Sequence, residues 1–97
     1  MLTWTQGVKP NGDIDDDGVA TIDVFNCRRG RFRIVAVGRD NAKLTLTQDG
    51  AAVTSTELWP HGVWEHTLET GDGAGRCTVS LATTSLVHLS EFNWRPR

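Results

Sequence analysis

Apolar side chains recur at every second position through most of this chain, and no window repeats them at helical spacing. Val19 to Asn26 sets Ala20, Ile22 and Val24 on one side and Thr21 and Asp23 on the other. Arg31 to Val37 sets Phe32, Ile34 and Ala36 against Arg31 and Arg33. Leu44 and Leu46 alternate with Lys43, Thr45 and Thr47, and Val63 to Thr70 places Trp64, His66 and Leu68 opposite Glu65, Thr67 and Glu69. β-Branched residues, threonine above all, are scattered throughout, as half-buried pleated surfaces favour. A period of two over such short segments specifies strands with one buried face.

The turns between them are equally legible. Thr3-Trp4-Thr5 reads as a short opening strand, followed by a loop from Gly7 to Gly18 rich in Gly, Pro, Asn and Asp. Asp49-Gly50 lies between alternating segments and predicts a type I′ hairpin, whose two central residues need positive φ; Ala51 to Leu58 is then the return strand. Trp59-Pro60-His61-Gly62 is a turn in which Pro60 fixes φ and Gly62 supplies a left-handed position. Gly71 to Gly75 reads as a flexible loop, Cys77, Val79 and Leu81 share a face, and Ser85 to Trp94 is the last strand. Its Leu86-Val87-His88-Leu89 run breaks alternation and predicts a bulge or burial on both sides. The expectation is an all-β, antiparallel β-sandwich or jelly roll of about eight short strands. It forms one domain over 1–97, with an opening strand and acidic loop (1–18) ahead of the sandwich core (19–97).

Cys27 and Cys77 stand fifty positions apart. A small β domain of 97 residues buries its core incompletely, and one long-range crosslink between these thiols suits a secreted module better than a cytosolic enzyme. The alternative is a pair of buried free thiols. The formal charge of −2 is too small to draw the chain to nucleic acid or an anionic membrane, and no apolar stretch approaches a membrane helix. Neither nucleic acid nor membrane insertion is therefore expected. Met1-Leu2 runs into Thr3-Trp4-Thr5 without a signal-peptide pattern, so Met1 is read as the start of an excised module or the true start of a phage-type protein. The localisation expected is extracellular, or on a virion.

Catalysis finds little support. There is no Gly-x-Ser-x-Gly elbow, and bonded cysteines are not nucleophiles. Glu57, Glu65, Glu69 and Glu91 would suit a glycosidase pair, but glutamates alternating outward along strands are ordinarily their solvated face. The chain is read as no enzyme. Asp13-Ile14-Asp15-Asp16-Asp17-Gly18 matches the opening of a calcium loop, with Asp13, Asp15 and Asp17 as ligands for a structural calcium ion. Val24 stands where an EF-hand places its bidentate glutamate, and Asp23 beside it is the substitute; the competing reading is a solvated acidic turn. No other cofactor is required. Cys27-Arg28-Arg29-Gly30-Arg31-Phe32-Arg33 groups guanidinium groups that either grip an anionic polymer or pair with nearby aspartates. The four tryptophans, Trp4, Trp59, Trp64 and Trp94, matter most. Trp59 and Trp64 bracket the Pro60-His61-Gly62-Val63 turn, where a rigid indole can stack on the C–H face of a sugar while His61, Glu57 or Glu65 bonds its hydroxyls. Trp64 shares its face with Leu68 and is equally a core residue; Trp94, two after Phe92, reads as core.

An immunoglobulin domain is excluded, because no tryptophan follows the first cysteine at the required distance and the chain has no tyrosine. Instead the chain resembles the small disulfide-bridged β-sandwich accessory modules of secreted bacterial carbohydrate-active proteins. The likeness covers Val19 to Trp94 and rests on Cys27 to Arg33 opening a strand, the Asp49-Gly50 hairpin, Trp64 early in a strand and Cys77 after a glycine loop. It implies carbohydrate binding in a multidomain protein, and a structural calcium at Asp13 to Gly18. The expected function is a non-catalytic module that binds a polysaccharide or glycan through Trp59 and Trp64, helped by His61 and Glu65. The competing expectation is a protein–protein or self-assembly module, such as a phage structural, decoration or adhesion domain. Edge strands rich in threonine and the Gly71 to Gly75 loop suit it equally.

Overall fold

A computed structural model describes residues 3–73 and 75–97; Ala74, inside the expected glycine loop, lies outside them. Nine strands follow one another: β1 (Thr3–Gln6), β2 (Asp13–Ile14), β3 (Val19–Val24), β4 (Gly30–Gly38), β5 (Ala42–Gln48), β6 (Ala51–Leu58), β7 (Val63–Thr70), β8 (Cys77–Thr83) and β9 (Val87–Pro96). They form two antiparallel sheets, one ordered β1-β3-β8-β5-β6 and the other β2-β9-β4-β7. Among the described strands only the β5–β6 hairpin turns back within its own sheet. Every other connection crosses between sheets, so the loops at both ends of the sandwich also close it.

The alternation read from the sequence is the alternation that packs. Ala20, Ile22 and Val24 on β3, Leu44 and Leu46 on β5 and Val79 and Leu81 on β8 face Phe32, Ile34 and Ala36 on β4 and Val87, Leu89 and Trp94 on β9. Each Val, Leu, Ile or Phe among them contributes about 1.5–3 kcal/mol on leaving water. Trp94 packs directly on Gly30, where any Cβ would strike the indole. The crosslink forms between Cys27 and Cys77, with Cα atoms 6.0 Å apart. Cys27 sits three residues beyond β3, in the β3–β4 crossover, which the bond ties to the start of β8.

Three expectations are corrected in detail. The loop from Gly7 to Gly18 contains the two-residue strand β2, too short to show alternation, which pairs Asp13 with His88 and Ile14 with Val87. The break in the last strand is a bulge at Ser90, one residue past the Leu86 to Leu89 run: Val35 pairs with Glu91 while Ala36 pairs with Leu89. In the Trp59–Gly62 turn the left-handed residue is His61, at φ 65°, and not Gly62. Gly62 is needed for space, since a Cβ there would crowd the Trp59 carbonyl and Leu58. The hairpin reading holds, with Asp49 and Gly50 both at positive φ.

Candidate functional site

One end of the sandwich gathers the β4–β5 connection, the turn from β6 to β7, the β8–β9 connection and the acidic loop ahead of β3. Trp59 stands there with 64% of its surface in solvent. It is exposed because Pro60 and the left-handed His61 fold the chain back within four residues, so no strand covers the indole. The turn is held at its base. Gly62 N–H donates to the Trp59 carbonyl at 2.9 Å, His61 N–H donates to the Gly38 carbonyl at 2.8 Å, and Gly38 N–H donates to the Gly62 carbonyl at 2.9 Å. Gly38 has no side chain because the Trp59 carbonyl occupies the place of its Cβ. The indole is thereby presented on a fixed backbone, as a stacking platform requires.

Trp59 borders a depression of about 310 Å³ shared with Asn41, Ala42, Lys43, Glu57 and Leu58. Register explains the grouping: Lys43 and Glu57 are cross-strand partners on β5 and β6, one position beyond the inward pair Ala42 and Leu58. An ammonium donor, a carboxylate acceptor and the Asn41 amide thus flank one apolar plate. Beyond the turn, His61, Arg39 and His88 line a second hollow of about 370 Å³ with Val37 and Gly38.

The expected site residues divide. Trp59 and His61 share the exposed turn. Trp64 lies on the inner face of β7, half-buried against the core and stacked on His66 with ring centres 5.5 Å apart. Glu65 points the other way and faces Arg33, Oε1 to a guanidinium nitrogen at 3.6 Å. Neighbours in sequence on a strand face opposite sides, so Trp64 and Glu65 cannot serve one surface. Asn41 and Lys43 were missed by sequence reasoning; the signal was their place just after the Gly38 break, at the same strand end as Trp59.

The acidic residues are likewise dispersed. Asp13 is buried and accepts hydrogen bonds from His88 Nδ1 at 2.9 Å, Arg39 at 3.3 Å and Asn11 at 3.2 Å. Because an ionised carboxylate only accepts, His88 carries its proton on Nδ1. The His88 hydrogen bond, followed by the Arg39 charge, holds the Asp13 carboxyl below its ordinary 3.8 against the opposing effect of burial. Asp15 pairs with Lys9 at 2.7 Å, which raises the lysine. Asp16 accepts from Leu86 N–H at 2.7 Å, and Asp17 is exposed at φ 55°. Asp23 lies on β3, bonded by the Thr78 hydroxyl and 3.9 Å from Arg76. No cluster of three or more His, Cys, Asp or Glu side chains able to hold a metal ion occurs among the described residues. No helix among them is long and apolar enough to cross a membrane.

No family model matches the sequence, and no curated protein matches it. Solved structures share the fold. A family 2 carbohydrate esterase from Clostridium thermocellum, in complex with cellohexaose, superposes with a TM-score of 0.64 at 11% identity, over 92% of this chain and 28% of the esterase. A family 61 carbohydrate-binding module in complex with β-1,4-galactotriose gives 0.56 at 11% identity, over 98% of this chain and 82% of the module. A family 6 carbohydrate-binding module gives 0.55 at 12% identity, again over 98% and 82%. This chain spans little more than a quarter of the esterase and most of each binding module, and it has their β-sandwich architecture.

Proposed function

We propose that this chain is a non-catalytic carbohydrate-binding module whose ligand lies on Trp59. The observation that carries the reading is an indole 64% exposed on a turn anchored to Gly38, beside a polar-rimmed depression. A sugar ring offers an apolar C–H face for the indole and hydroxyls for Asn41, Lys43 and Glu57, the combination small-molecule sites use to fix orientation. The fold shared with two carbohydrate-binding modules supports it. His61 serves the same turn from its far side. Trp64 belongs to the support, because its packing against the core fixes the strand that follows the turn. The two sheets share one core, so the module works as one unit, and its disulfide suits an oxidising, extracellular setting.

Affinity electrophoresis through gels containing neutral β-1,4-linked glycans tests this. The wild type should be retarded, and Trp59→Ala should lose affinity roughly thirtyfold, the effect of a central tryptophan anchor. Its melting temperature should stay within about 2 °C, as for an exposed side chain. Equal retardation of the two proteins removes the reading.

A further inference from the structure

The solvent face of the four-stranded sheet carries a third cleft, of about 350 Å³, lined chiefly by Arg31, Arg33, Glu91, Asn93, Arg95 and Arg97. Register assembles it from distant sequence: Arg31 on β4 pairs with Arg95 on β9, and Arg33 with Asn93. Two guanidinium groups set directly opposite on neighbouring strands repel, which works against the sheet. Carboxylates relieve most of this charge. Arg31 is 2.9 Å from Glu69, Arg33 is 2.9 Å from Glu91 and 3.6 Å from Glu65, and Arg97 is 3.6 Å from Glu69. Arg95 has no ion pair among the described residues. Four arginines against three glutamates leave one positive charge over, on the residue facing Arg31. Beside them Asn93 lines the cleft, its Nδ2 donating to Glu91 Oε1 at 3.4 Å.

We propose that this cleft is a second glycan subsite, selective for an acidic sugar whose carboxylate or sulfate oxygens lie between Arg95 and Arg31. It rests on the reading that the module binds glycans, at a face separate from Trp59. An anion there replaces the repulsion of the cross-strand arginines with charge-assisted hydrogen bonds. The cleft lies at the small end of the range of ligand pockets, the scale of one or two sugar rings. Glu65, Glu69 and Glu91 close by, and a surplus of a single charge, disfavour a densely charged polyphosphate. Sparse anions on a hydroxylated polymer fit; nucleic acid does not.

Isothermal titration against polygalacturonate, dextran sulfate, neutral β-1,4-galactan and duplex DNA tests this on the wild type, Arg95→Gln, Arg95→Glu and Trp59→Ala. The wild type should bind at least one of the first two polymers, and whichever binds identifies the anionic group. Arg95→Gln should weaken that binding about tenfold or more, as expected for a lost charge-assisted contact, and Arg95→Glu should abolish it. Binding should also weaken between about 20 mM and about 200 mM salt, where the screening length falls roughly threefold. Since Arg95 has no ion pair to lose among the described residues and stands opposite Arg31, its variants should melt at or above the wild-type temperature. Trp59→Ala should keep the acidic polymer and lose only the neutral one, so failure of the Trp59 reading shows in a separate column. The proposal is overturned by no binding of either acidic polymer, by wild-type binding in Arg95→Gln, by loss of acidic binding in Trp59→Ala, or by DNA binding as tight as theirs.

Discussion

At one end of the sandwich the Cys27–Cys77 bond fastens the β3–β4 crossover to β8, reinforced by Cys27 N–H donating to the Gly75 carbonyl at 2.8 Å and by the Arg29–Asp72 ion pair. At the other end non-covalent contacts do the fastening: backbone hydrogen bonds tie the Trp59 turn to Gly38, and backbone bonds together with the contacts of Asp13 and Asp16 hold the acidic loop. The first closure acts largely through the unfolded chain and is indifferent to fine local geometry. The second depends on two glycines and a carboxylate standing where nothing else fits. Global stability is therefore concentrated away from the exposed indole, and the shape of the Trp59 end is set locally. Stability and ligand binding should come apart under mutation.

The largest effect should follow from opening the covalent end. For a separation of fifty residues the chain-entropy model gives the bond about 4 kcal/mol, so Cys27→Ala/Cys77→Ala should melt roughly 15–30 °C below the wild type. Below its transition the variant should still bind neutral glycan with wild-type affinity. Calorimetry with titration on the same sample reads both; joint loss of stability and affinity would show the ends to be coupled and break the comparison.

Gly38→Ala strikes the other closure. Its methyl would enter the Trp59 carbonyl, which is backbone and cannot swing aside, and the cost should be about 2–3 kcal/mol of overpacking strain. Because relief requires the turn to move, this variant should also lose glycan affinity, unlike the double cysteine variant. Urea melts and gel retardation together check it. A destabilised variant with unchanged affinity would mean that the indole is not positioned through Gly38.

What the sequence could disclose follows the same division. Strand alternation survives translation into structure because the pleat has a period of two wherever one face is buried, so Ala20, Ile22, Phe32, Ile34, Leu44 and Val79 were legible as core. The hairpin at Asp49-Gly50 was legible because local backbone chemistry determines it. Register between distant strands is not local. The run from Arg28 to Arg33 is read correctly from the sequence, with Arg31 and Arg33 on one strand face and Arg28 and Arg29 in the turn before it, but only the register brings Arg95 and Arg97 beside them from the far end of the chain. The outward alternation of Glu91, Asn93 and Arg95 was the available signal. The acidic loop shows the same limit: its spacing resembles a cation loop, while His88 and Arg39, which bond to Asp13, lie 75 and 26 positions away and give no local signal.

The smallest effect, and the one that most sharpens the contrast, concerns acid. Asp13 titrates below its ordinary 3.8 in the folded chain, chiefly through the hydrogen bond from His88 and then the charge of Arg39. A carboxyl lowered on folding adds stability that is complete above the unfolded value and disappears as pH falls through the folded one. Asp13 therefore favours the fold at neutral pH, begins to lose that contribution as pH falls toward 3.8, and loses the rest only through its lower folded value. Glu69, lowered by Arg31 and Arg97, titrates in the same direction, so the wild type alone cannot separate them. Asp13→Asn does: it should be less stable than the wild type at pH 7, and the gap should narrow steadily below pH 4. Urea midpoints along such a series measure the gap directly, with Glu69 common to both proteins. A constant gap would mean that the side chain contributes by packing rather than by charge. In the oxidised protein acid should then loosen the acidic loop while Cys27–Cys77 keeps the opposite crossover in place, so exchange of the Leu86 and Leu89 amides should rise ahead of that of Cys27.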